Sequence, residues 1–330
     1  MRNIARETAQ QRQELFAATS NSMGITPAAA EKDFWIVWCL DVLFSMKDWA
    51  PRLRFKGGTS LSKAYGLFER FSEDIDLILD WTGLSEEAPD GERSKTQQQK
   101  LNVEINHSAQ RLIQERLLPD LQNVVSPLCQ AHLDRHDPHT INIEYPAVFA
   151  PGYLRPVVRL EIGPLAAMLP MEFRPVESYA ARSFPDAFEE RVVEVPTIRA
   201  ERTFWEKLTI LHAEAHRPID KVLPSRYARH YYDVHRLAGS RYVESALNDT
   251  KLLTDVVAFK QKFYPAAWAK YSTAAPGSFR LMPSDLHLAA LEQDYDDMSE
   301  MIFGDVPEFR KVLNTLETLE ARINGWAIDV

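Results

Sequence analysis

The chain has 330 residues, 45% of them hydrophobic and 26% charged, a globular composition that excludes intrinsic disorder and collagen-like repeats and predicts about two domains. Its 38 basic and 47 acidic side chains give a net charge of −9, which excludes a globally basic nucleic-acid coat but leaves room for a local basic groove. The only cysteines, Cys39 and Cys129, form no CxxC pair, so a disulfide framework and a zinc ribbon are both excluded and a reducing cytoplasm is expected.

The N-terminal residues 1–13 are rich in Arg, Gln and Glu and lack the apolar core of a signal peptide. The best membrane candidate, 34–44, is short and interrupted by Asp41, so no membrane partner is expected. Thr26 followed by Pro27 is a helix start, and 28–44 is apolar nearly all round, as in a well-buried helix. A strand over 53–55 should end at Gly57-Gly58, followed by a helix over 60–68. Over 74–79, Ile75, Leu77 and Leu79 alternate with Asp74 and Asp76 in strand fashion. A helix is predicted over 94–117, and β-branched residues predict strands over 140–145 and 157–162. Beyond Pro196 the pattern changes to amphipathic helices over 198–215, 227–237, 252–263, 286–301 and 308–323, with prolines as punctuation. The expected organisation is an α+β domain over 1–196 and a helical domain over 197–330.

Chemistry concentrates at the strand–turn–helix–strand stretch. Paired glycines bring backbone amides close to a phosphate, and Thr59 and Ser60 add hydroxyl donors. The spacing matches neither a Walker A loop nor a dinucleotide fingerprint. Asp74 and Asp76, two apart on a strand, share a face, and two crowded carboxylates call for a cation such as Mg²⁺ that also binds substrate phosphates. Glu161, beside Arg159 on the 157–162 strand, reads either as a third metal-site acid or as half of an exposed ion pair.

Lys207 lies on a predicted helix between apolar neighbours, and Arg229 and Asp233 are spaced as an i, i+4 pair on another. His212 and His216 are one turn apart but do not form HExxH, and His132 to His139 reads as a solvated loop. The segment 199–241 is locally basic, a candidate wall for a polyanion, and the acidic run 292–297 reads as a solvated helix face.

Together these motifs resemble the AbiEii/AbiGii family of nucleotidyltransferase-like toxins, which includes the MenT toxins. The resemblance runs in order through Glu31-Lys-Asp-Phe-Trp, Lys56-Gly-Gly-Thr-Ser-Leu-Ser-Lys with Ser72-Glu-Asp-Ile-Asp-Leu, Thr203-Phe-Trp-Glu-Lys-Leu-Thr-Ile-Leu-His, Arg229-His-Tyr-Tyr-Asp-Val, and Asp294 to Gly304. It implies a nucleotidyltransferase-fold core, a mixed sheet with flanking helices, followed by a helical C-terminal domain. It implies that Asp74 and Asp76 hold Mg²⁺ on an NTP. Lys56, Gly57, Gly58, Thr59 and Ser60 would surround the phosphates, with Arg229 also on the nucleotide. Lys207 would neutralise the triphosphate, and Asp233 would position Lys207 or assist the nucleophile. The implied activity is transfer of a nucleotide to the 3′ end of an RNA, tRNA first among them, by a toxin of a type IV toxin–antitoxin or abortive-infection system. A separately encoded winged-helix antitoxin is implied, without a stable complex being required. Two alternatives use the same residues: a non-catalytic NTP-binding module, and a kinase-like phosphotransferase.

Overall fold

The computed structural model describes residues 1–68, 73–150, 154–299 and 302–326. Arg70, Phe71 and Ser72 of the second motif, and the last two residues of the helix predicted over 286–301, lie outside them. The chain divides into two compact units, Met1–Tyr65 with Ser72–Ile198 and Gly66–Phe71 with Arg199–Val330. Among the described residues, no helix is long and apolar enough to cross a membrane.

The first unit opens with helices α1 (Arg2–Ala5), α2 (Ala9–Met23) and α3 (Pro27–Ser45). α3 starts where expected, with Pro27 in its first turn and the Thr26 hydroxyl accepting from the Ala29 N–H at 3.2 Å. It is buried on every side. Trp35 stacks on Tyr145 with ring centroids 5.3 Å apart and meets Phe34 and Trp38 edge-on. Its charged residues Glu31, Lys32 and Asp33 are buried too, and each has a partner. Glu31 accepts from the Val148 N–H at 2.9 Å, Lys32 meets Glu73 at 2.5 Å, and Asp33 accepts from the Tyr179 N–H at 2.7 Å and pairs with Lys63. Pairing satisfies charges whose isolated burial would be prohibitive.

Strand β1 (Leu53–Lys56) leads directly into helix α4 (Gly57–Lys63), then β2 (Asp74–Leu79), α5 (Lys95–Leu112) and α6 (Leu118–Val125). α4 therefore begins at Gly57, before the expected Ser60, because Gly57 at φ +78° turns the chain out of the strand. It ends at Lys63, short of the expected Phe68, just ahead of the left-handed Gly66. A capping box between Ser94 and Gln97 starts α5, and a π-helical turn over Ile113–Leu117 joins it to α6.

Strands β3 (Gln130–Leu133), β4 (Thr140–Glu144), β5 (Val157–Gly163) and β6 (Met171–Glu177), helix α7 (Tyr179–Ser183) and strand β7 (Val192–Ile198) complete the unit. The strands form one mixed sheet in the order β3-β4-β5-β2-β1-β7-β6. β2 runs parallel to β5 and antiparallel to β1, and β7 runs parallel to β1. Three strands depart from the sequence reading. The loop expected over 132–139 starts as edge strand β3, which carries His132 and Leu133. β6 and β7, where no strand was expected, carry Pro175 and Pro196, the latter read as punctuation at the domain boundary. β6 is the sheet edge, where a missing N–H is tolerated, and the register of β7 with β1 is confined to Phe55 and Thr197.

The second unit contains α8 (Ala200–Ala215), α9 (Ala228–Ala238), α10 (Val243–Asn248), α11 (Thr250–Phe263), α12 (Asp285–Ser299) and α13 (Phe309–Asn324). Its buried face includes Phe204, Trp205, Leu208, Tyr231, Tyr232, Leu291 and Leu316. The acidic run of α12 is not purely a solvated face. Asp294 accepts from the backbone N–H groups of Arg226 and Ala228 at 2.6 and 2.7 Å, satisfying donors at the start of α9. The α+β core and helical C-terminal region are the fold class the motifs predict.

Candidate functional site

In the first unit the site grows from the β1–α4 turn and the start of β2. Antiparallel register sets Lys56 opposite Asp76, and parallel register sets Asp74 opposite Arg159 and Asp76 opposite Glu161. Asp74 and Asp76 flank the buried Ile75, so both carboxylates leave the same face of β2. The Asp76 carboxylate lies against the Gly57 backbone, and a Cβ built on Gly57 would stand 2.1 Å from Asp76 Oδ2. This turn thus needs glycine twice, for its positive φ and for the room that Asp76 takes.

Thr59 and Ser60 are fully buried, and their hydroxyls point inward. Thr59 donates to the Asp74 carbonyl, and Ser60 donates to the Gly57 carbonyl at 2.9 Å. Both hydroxyls, expected as phosphate donors, are engaged with backbone carbonyls. They fix the turn against β2, and what the turn can offer an anion is its backbone amides. Lys56 and Gly58 are both half-buried at the same turn.

Arg159 is the hub of the surrounding charges. Its Nη1 meets Asp134 at 3.1 Å, its Nη2 meets Glu161 at 3.4 Å, and its Nε meets Asp74 at 3.5 Å. Burial raises the Asp74 carboxyl above its ordinary range, Arg159 opposes that rise, and Asp76 and Glu73 add to it. Burial, followed by Asp74 and Asp76, likewise raises Glu161, again against Arg159. Asp134 is held low, first by the Asn142 amide and then by the His136 N–H. Glu161 thus lies beside the two aspartates and is also half of the ion pair its neighbour suggested.

No group of three or more His, Cys, Asp or Glu side chains among the described residues is gathered closely enough to hold a metal ion. The donor set nevertheless suits a hard divalent cation. Asp74 and Asp76 offer carboxylate oxygens from one face, and their mutual repulsion is of the kind a cation relieves.

The second unit carries the other motif residues. Lys207 on α8 and Asp233 on α9 are 7% and 0% exposed, and Lys207 Nζ donates to Asp233 Oδ2 at 2.7 Å. Arg229 is exposed on α9. His212 is not disposed toward zinc. Its Nδ1 accepts from the Arg280 N–H at 3.1 Å, so its proton sits on Nε2, facing Lys270 O at 3.2 Å. The basic segment over 199–241 is partly neutralised internally: Arg199 pairs with Glu201, Arg202 with Glu206, and Arg217 with Glu214.

Sequence reasoning missed Asp134, which lies in a run that reads as a polar turn, and the partners of Glu31, Lys32 and Asp33. Three consecutive charges inside a largely apolar helix were the available signal for the latter.

The model of the nucleotidyl transferase AbiEii toxin family, described as a type IV TA system, matches residues 38–315. Among solved structures, the nucleotidyltransferase toxin MenT4 from Mycobacterium tuberculosis is 20% identical over 93% of this chain and 98% of that one, with a TM-score of 0.44. JHP933 from Helicobacter pylori is 14% identical over 90% and 92% of the two chains, with a TM-score of 0.43. No curated protein matches the sequence.

Proposed function

The chain belongs to the AbiEii family of nucleotidyltransferase toxins, and from that premise we propose that it is a Mg²⁺-dependent enzyme that transfers a nucleotide from an NTP to the 3′ end of an RNA, with tRNA as the first candidate acceptor. The family implies an antitoxin partner. The proposed setting is a cytoplasmic type IV toxin–antitoxin or abortive-infection system with a separately encoded winged-helix antitoxin.

One observation carries the chemistry: Asp74 and Asp76 leave one face of β2 beside a glycine turn in which a Cβ at Gly57 would displace the Asp76 carboxylate. Asp74 and Asp76 would hold the metal, with Glu161 as a third acid beside them. The metal, when bound, supplies charge neutralisation on the phosphates. Lys56 and the amides of Gly57, Gly58, Thr59 and Ser60 would bind phosphate oxygens, and Arg229 would contribute to nucleotide binding. In the proposed reaction the RNA 3′ oxygen bonds to the α-phosphorus, the bond from that phosphorus to the bridging oxygen of the β-phosphate breaks, and pyrophosphate and the hydroxyl proton leave. Lys207 would stabilise charge developing on the phosphates, with Asp233 positioning it. The 2.7 Å pair with both partners buried supports a positioning role for Asp233.

The test incubates the protein with Mg²⁺, total cellular RNA and each NTP, labelled at the α- or the γ-phosphate. Transfer of α-label to RNA, lost in a folded Asp76→Asn variant, is the expected result. Transfer of γ-label would make the protein a kinase. NTP binding with no transfer of either label would make it a binding module.

A further inference from the structure

Arg159 is a cation built into the flank of the two aspartates, and its contacts are unequal. The 3.1 Å contact goes to Asp134, and the looser contacts of 3.4 and 3.5 Å go to Glu161 and Asp74. Asp134 is itself immobilised. It accepts from the Asn142 amide at 3.0 Å and from the backbone N–H groups of His136 and Asp137 at 2.9 and 3.2 Å. Strand register fixes the other side of the guanidinium, with Arg159 opposite both Asn142 on β4 and Asp74 on β2. The guanidinium is therefore tethered to a rigid anchor and only leans on the carboxylates that would bind metal. Lys32, paired with Glu73, adds positive charge near Asp74, and Lys56 stands opposite Asp76 in the sheet.

A fixed positive charge in this place has two consequences. It relieves repulsion among Asp74, Asp76 and Glu161 when nothing else is bound. It also repels a free divalent cation, since the cation would have to share carboxylates that Arg159 already partly neutralises. A triphosphate changes that balance by bringing its own negative charge to chelate the metal. We propose that Arg159, anchored by Asp134, is a positioning residue that holds Asp74 and Glu161 in place before loading and opposes the entry of free metal, so that the metal is taken up together with the nucleotide. This rests on the reading of Asp74 and Asp76 as metal ligands.

The experiment is a titration of the full chain with Mn²⁺, followed by electron paramagnetic resonance, with and without a non-hydrolysable NTP analogue. The wild type is expected to bind Mn²⁺ weakly alone and much more tightly with the nucleotide. Arg159→Met is expected to bind Mn²⁺ alone at least tenfold more tightly, with a smaller gain from nucleotide. Arg159→Lys, which keeps the charge, should stay near the wild type. If Arg159→Met folds poorly, Arg159→Gln, which removes the charge but can still donate to Asp134, gives the same comparison. A merely structural role predicts looser Mn²⁺ binding on loss of the arginine. Unchanged or weaker binding by the folded neutral variants, with nucleotide-dependent binding intact in the wild type, would overturn the role of Arg159 alone. Absence of Mn²⁺ binding even with nucleotide would overturn the metal reading beneath it.

Discussion

Gly57→Ala separates the geometry of the candidate site from the stability of the fold. At φ +78° an alanine costs about 1–2 kcal/mol in backbone strain. The second cost is local. The new Cβ would lie 2.1 Å from Asp76 Oδ2 and 2.7 Å from its Cγ, so the carboxylate must withdraw by about 1 Å, a displacement that can cost about a hundredfold in rate. Gly24→Ala is the matched control, because Gly24 has φ +68° and a Cβ there meets nothing within 4 Å. Both variants should therefore lose similar stability in urea denaturation, while only Gly57→Ala loses about two orders of magnitude in nucleotide transfer, read as α-label incorporated into RNA. If Gly57→Ala kept the activity of Gly24→Ala at equal stability, Asp76 would not be placed by this turn for the reaction, and the argument from the glycine would fail.

The buried pair in the second unit supports a different experiment. Asp233→Ala leaves the buried Lys207, 7% exposed, without its carboxylate, and should cost about 3–5 kcal/mol. Combining Lys207→Met with Asp233→Leu should recover most of that stability in denaturant titrations while leaving transfer abolished; recovery of transfer as well would remove Lys207 from the chemistry. His212 supplies a pH test. Its burial pushes the ring down to about 4, below the usual value of 6.5 to which it returns when unfolded. The unfolded chain therefore binds the extra proton in that interval. The stabilisation is complete above about pH 6.5 and falls with pH by at most about 1.4 kcal/mol per unit down to about pH 4. His212→Gln should flatten this part of the stability profile in urea titrations from pH 7 to 5, and an unchanged slope would assign it to other groups.

Strands β2, β4 and β5 were legible because alternation and β-branched residues coincide there without proline. β6 and β7 were not expected, and they carry Pro175 and Pro196, whose tolerance depends on sheet position, a property the sequence does not carry locally. The same limit governs the site. Asp74 and Asp76 could be placed on one face from their spacing alone, since strand alternation is a local rule. Asp233 could not be understood that way. Its spacing suggested Arg229, one turn away on the same helix, whereas its complete burial is matched by Lys207 on another helix. Thr59 and Ser60 carried the right chemical groups for phosphate binding, yet their hydroxyls are turned inward to secure the glycine turn. Asp134 is the extreme case. Nothing within its own run distinguishes it from any other turn aspartate, and its meaning comes from Arg159, 25 residues later. Register brings Arg159 opposite Asn142, and Asn142 is what holds Asp134. Local pattern therefore locates the groups able to do chemistry, while the pairing of strands and helices decides which charges act together and which only hold the others in place.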